Sequence, residues 1–183
     1  MKRLASALVT AGLLSLSVGS QAGTFHFTGD FADASDVVYG AFTVTDYDSV
    51  NLLFTDSYAE GNFDPILFVW DARGNLLASD DDSGPSWDAL LYLTGLAAGN
   101  YYFGITQFPN WNNGNNLTDG FTYGGQTQGA PYLGASWSLY VTGAASAKIL
   151  PGVPAVPEPE TYAMLLAGLG VVGAVARRRS KKI

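Results

Sequence analysis

The sequence predicts an all-β fold: an antiparallel β-sandwich, jelly-roll-like and of about eight strands, flanked by an N-terminal signal helix and a C-terminal single membrane helix. Three observations lead there. Between residues 23 and 145 the apolar residues recur with a period of two, and no stretch of about twelve residues keeps a helical period. Segments rich in Phe, Tyr, Val and Leu alternate with Gly, Asp and Pro at the roughly 8–12-residue spacing of a sandwich. The two ends carry apolar stretches with basic flanks, which belong to export rather than to a folded core.

Taken in order, Lys2 and Arg3 precede the apolar run "LASALVTAGLLSLSVG", and Ser20-Gln21-Ala22 supplies the small residues that a signal peptidase reads. Residues 1–22 are thus a signal peptide, with cleavage between Ala22 and Gly23. Strands are expected at 24–29, 37–44, 49–55, 65–70, 75–79, 88–94, 100–108 and 135–143 within a sandwich domain at 23–145. Asp71-Ala72-Arg73-Gly74 should form a type I turn with Gly74 at positive φ, making 65–70 and 75–79 a hairpin. Leu96, Gly99 and Tyr101 have the spacing of a tyrosine corner, in which the phenol ties a crossing loop to the sheet. Residues 146–161 form a Pro-rich linker, stiffened by prolines at 151, 154, 157 and 159.

The run "GLGVVG" at 168–173 spells a dinucleotide-binding fingerprint, but the acidic residue required about 20 positions later is missing. Its surroundings point to a membrane. Residues 162–176 are uncharged and are followed by the basic tail 177–183, which begins "RRRSKK". Fifteen helical residues span roughly 22 Å against a hydrocarbon core of ~30 Å, so this is a minimal span. The basic tail should stay cytoplasmic and everything before the span outside. Ahead of it stands Val156-Pro157-Glu158-Pro159. "VPEP", an apolar span and a terminal arginine cluster, in that order, resemble the PEP-CTERM sorting signal. The resemblance implies a host that makes exopolysaccharide and an exosortase that cuts near Pro-Glu-Pro, so that the protein is anchored in the inner membrane only transiently.

Residues 23–156 hold fourteen acidic residues against Arg73 and Lys148, a net charge of −12. Such a surface repels nucleic acid and other polyanions. The chain has no cysteine, so an exported form must rely on packing or on a metal.

The series "FDPILFVWDARGNLLASDDDSG" followed by "DALLYLTGLAAGNYYFGITQF" resembles the bacterial pre-peptidase C-terminal domain over roughly 24–142. "NLTDGF" at 116–121 further resembles a group of single-domain PEP-CTERM proteins. The first resemblance implies a non-catalytic sandwich, some of whose relatives bind calcium and polymers.

Enzymatic activity is not expected: the single histidine, His26, lies in a strand without a partner motif, and no spacing selects a pair of catalytic carboxyls. Two non-catalytic readings stand beside each other. One is a surface or matrix protein associated with exopolysaccharide or biofilm. The other is a carbohydrate-binding module that uses the long segment 107–134, where Trp111, Phe121, Tyr123 and Tyr132 offer aromatic faces and Asn112, Asn113 and Asn116 offer hydrogen bonds. Trp87 invites the same reading. Finally, the register of the 65–70/75–79 hairpin should set Asp64 opposite Asp81 or Asp82, gathering Asp64, Asp80, Asp81, Asp82 and Asp88 around an expected Ca2+ ion.

Overall fold

A computed structural model describes residues 22–45, 50–131 and 133–154, together with Leu169 and Val172. Most of the signal peptide, Tyr132, Val156–Pro159, the basic tail and nearly all of the span at 162–176 lie outside the described residues. Among the described residues no helix is long and apolar enough to cross a membrane.

Among the described residues nine strands form two antiparallel sheets. They are β1 (Gly23–Asp30), β2 (Val38–Val44), β3 (Val50–Thr55), β4 (Pro65–Trp70), β5 (Leu76–Asp80), β6 (Leu90–Thr94), β7 (Gly99–Gln107), β8 (Ser136–Ala144) and β9 (Ser146–Leu150). One sheet has the order β1-β8-β3-β6 and the other β5-β4-β7-β2-β9. The first eight strands pair as a nested hairpin, 4 with 5, 3 with 6, 2 with 7 and 1 with 8, and successive pairs fall on alternate sheets. That is jelly-roll order. The strands stand within one or two residues of the expected spans.

β9 is the addition. It lies in the segment read as linker, pairs with β2 from Thr43↔Ser146 to Tyr39↔Leu150, and carries the folded domain to Leu150. Its Lys148 and the following Pro151 suit an edge position, where they discourage further pairing. A five-residue helix, α1 (Ser57–Gly61), also departs from the all-strand expectation.

Between the sheets, Phe42, Val44, Leu53, Leu67, Val69, Phe103, Ile105, Leu139 and Val141 are almost fully buried. Gly40 faces Phe103 across the β2–β7 pair, and the Phe103 ring lies over it so closely that a Cβ there would be 1.9 Å from Cζ. β4 is buried along its whole length. Its other face, with Ile66, Phe68 and Trp70, belongs to a second apolar cluster under Leu117 and Phe121. This explains why "PILFVW" is apolar without alternation.

The hairpin turn forms as expected. The Gly74 amide donates to the Asp71 carbonyl at 2.9 Å, and Gly74 has φ 82°. The tyrosine corner forms too, with the Tyr101 hydroxyl donating to the Ala97 carbonyl at 2.7 Å.

Candidate functional site

Three places hold the candidate residues. The first is the acidic end of the sandwich, where β4 begins and the β5–β6 connection turns. The expected register is displaced there by an irregularity at Val69/Trp70, so that Leu67 pairs with Asp80 and the ladder stops. Neither Asp81 nor Asp82 is a ladder partner of Asp64. Asp80 is occupied by Ser83 and by the Leu90 amide at 2.8 Å. Asp88 is buried, and its Oδ1 accepts from the Ser57 amide (2.7 Å), the Tyr58 amide (3.1 Å) and the Thr55 hydroxyl (2.8 Å). It thereby caps α1 from a distant loop, since Asp56 makes no side-chain cap.

Asp64 differs. It is 6 % exposed, and its Oδ1 has no hydrogen-bond partner. Burial first, then the charges of Asp82, Asp81 and Asp88, push its carboxyl up to about 6. As they stand the five carboxylates do not form a ligand shell: among the described residues no group of three or more acidic or imidazole side chains is arranged to hold a metal ion.

The sign of the pH effect follows. The folded state keeps the Asp64 proton up to about pH 6, whereas an unfolded aspartate loses it near 3.8. This contribution to stability is fully present below about pH 4 and is lost as pH rises through 6. A shift of this size carries roughly 3 kcal/mol unscreened and about half that after solvent screening. Thermal melts should therefore show wild type losing several degrees between pH 5 and 7.5, and Asp64→Asn losing much less. Equal losses would refute the assignment.

The second place is the segment between β7 and β8. Asn116 and Asp119 form a capping box around a 3₁₀ turn at Leu117–Asp119, which is the structural content of "NLTDGF". Isolated bridges Asn75↔Asn116 and Asn112↔Phe121 fasten the segment to the hairpin and to itself. Its aromatics turn inward. Phe121 is 5 % exposed and packs edge-on to Phe68, while Trp111 is half-buried and meets Phe68 at 88°. Asn112 Nδ2 donates to the Gly114 carbonyl and Asn113 Nδ2 to the Phe121 carbonyl. Tyr123 is half-buried, its amide held by Asn110 Oδ1 at 3.1 Å. Trp111 and Phe121 thus pack on the outer face of the five-stranded sheet, Asn112 and Asn113 bond within the segment, and Tyr123 is half-buried. Asp33 anchors the far end of the segment, accepting from the Gln128 and Gly129 amides. These bonds, the Gln128 amide foremost, hold its carboxyl well below the usual range. Trp87, by contrast, is 46 % exposed and lies beside Tyr58.

The third place is the outer face of the four-stranded sheet, which holds residues that sequence reasoning missed. His26 Nε2 lies 3.0 Å from Ser138 Oγ, 112 positions away. A groove of about 350 Å³ opens beside them, lined by Asp30, Asp56, Ser57, Ser136 and Ser138 among others. Cross-strand register brings these together, and no local spacing could have signalled it.

At the two ends, Gly23 opens β1 and pairs with Ala144, with Ala22 exposed just ahead of it. Cleavage between them would leave the whole strand intact. No curated protein matches the chain, and the likeness of 24–142 to the pre-peptidase C-terminal domain has no family match behind it. Residues 155–180, which follow the sandwich directly, match the PEP-CTERM protein-sorting motif, and this marks the chain as an exported protein sorted by an exosortase.

Proposed function

We propose that the mature protein is a non-catalytic β-sandwich of the pre-peptidase C-terminal type, held at the cell envelope or released into the extracellular polysaccharide. The sorting motif at 155–180 carries this reading. It stands immediately after a sandwich whose last strand ends at Leu150. The −12 charge of residues 23–156 suits a soluble partner of non-acidic matrix and excludes nucleic acid.

Localisation tests the reading. In the producing cells the protein should co-fractionate with exopolysaccharide, and it should appear free in the medium when polysaccharide export is abolished. An identical distribution in both strains would contradict the association.

Calcium enters as a proposal resting on the bare oxygen of Asp64. A shell there must draw in Asp81 and the exposed Asp82 and complete itself with backbone carbonyls. With a dissociation constant of roughly 0.1–1 mM, ~10 mM calcium would add about 1.4–2.7 kcal/mol, or about 4–10 °C in melting temperature. Melts in calcium against chelator should show this gain in wild type and lose it in Asp64→Asn with Asp82→Asn. No gain, or an equal gain in the variant, would reject the ion.

A further inference from the structure

The two sheets treat their outer faces differently. That of the five-stranded sheet lies under the segment between β7 and β8, whereas that of the four-stranded sheet carries, among the described residues, only the short helix α1 against β8. Register lays its outward side chains in rows across β1, β8, β3 and β6. One row is Thr24, Thr142, Leu52 and Tyr92, and the next is His26, Tyr140, Phe54 and Leu90. His26 stacks on Tyr140 at 4.1 Å and 4°, and Tyr140 on Phe54 at 4.7 Å and 8°. Rings stacked face to face at the spacing of neighbouring strands stand upright on the sheet. His26 is exposed on the edge strand β1, so among the described residues its second face has no hydrogen-bonded neighbouring strand.

Beyond this aromatic wall the rows turn polar and form the groove. Ser136 Oγ donates to Asp30 Oδ1 at 2.6 Å, and the second Asp30 oxygen makes no hydrogen bond among the described residues. Asp56 lines the same groove without capping α1. Ser138 Oγ is held by His26, while Ser57 Oγ donates to the Ser138 carbonyl at 3.1 Å. The groove offers carboxylate oxygens and hydroxyls to a polyol, while His26, which meets the groove through the Ser138 hydroxyl and does not line it, leaves the outer face of its ring at the β1 edge for the apolar face of a pyranose.

We infer that this groove, together with the ring face of His26 at the β1 edge, binds a glycan segment bearing no acidic groups. Charge decides the class: the face contains Asp30 and Asp56 and no Lys or Arg, on a body of net charge −12. A uronate or sulfated chain would meet repulsion there. The inference rests on the matrix reading above and names the surface through which it operates, at a site distinct from Trp111.

The test is titration of the full chain in mild detergent with non-acidic hexasaccharides (β-glucan, mannan, galactan and glucosamine) and with a hexauronate. Saturable binding of at least one non-acidic hexamer is expected, with no response to the uronate. Asp56→Ala and His26→Ala should each weaken that binding at least tenfold. Asp56→Ala should leave the melting temperature unchanged, because that side chain makes no cap. Trp111→Ala should lower the melting temperature and leave affinity intact. Binding to none of the non-acidic hexamers, equal binding of the uronate, or unchanged affinity in either groove variant would overturn the inference. Each of these failures would leave sorting and co-fractionation as they are.

Discussion

Replacing Gly40 with alanine is expected to lower the melting temperature by about 10 °C or more. The new methyl would sit 1.9 Å from Phe103 Cζ and 2.4 Å from two further ring carbons, at the centre of the β2–β7 pair. Phe103 cannot swing aside, because it is fully buried among Phe42, Val69 and Ile105. Overpacking of this kind costs typically 1–3 kcal/mol and more where the neighbour is fixed, which at this domain size gives a shift of that order. Gly152→Ala is the control: nothing lies within 4 Å of a Cβ there, and its melt should match wild type. Gly40→Ala combined with Phe103→Leu should recover part of the loss, since the smaller side chain vacates the space over residue 40. A Gly40→Ala melt equal to that of Gly152→Ala would show that the ring does not lie where we place it.

The second large effect concerns sorting. Changing Pro157, Glu158 and Pro159 together to alanine should abolish release and leave the full C-terminal tail in the membrane fraction. The substitutions fall within the matched motif and beyond the last strand, so the sandwich should keep its melting temperature. Immunoblots of membrane and medium would read the result as nearly complete retention against release of wild type. Normal release from the triple variant would mean that the Pro-Glu-Pro stretch is not what the processing enzyme reads.

How legible this structure is from sequence depends on whether the determining contact is local. The eight strands of the jelly roll are readable because each is a short segment bounded by turn residues, most with a two-residue period and β4 as an unbroken apolar run. Tyr101 is readable as a corner because its acceptor, Ala97, lies four residues away. β9 is not readable: "SAKIL" lacks a clear period, and the unpaired edge of β2 makes it a strand. Likewise α1 is short and receives its cap from Asp88, thirty-one positions beyond Ser57. The segment 107–134 announces itself by length and aromatic content, but the direction in which Trp111 and Phe121 point is fixed by the apolar outer face of β4. At the acidic end a single extra irregularity at Val69/Trp70 moves the ladder by one residue, and the proposed opposition of Asp64 to Asp81 or Asp82 goes with it. What remains is the raised Asp64 carboxyl, pushed up first by burial and then by the nearby charges of Asp82, Asp81 and Asp88. The groove beside His26 depends on residues from opposite ends of the domain and has no sequence signature at all.

Sorting and the sandwich meet in one measurement, the intact mass and terminal sequences of the protein recovered outside the cells. An exported, exosortase-processed sandwich should begin at or near Gly23, the first residue of β1, and end before Tyr162, keeping all nine strands. An extracellular protein that still carries Arg177–Arg179 in cells with an active exosortase would contradict the account.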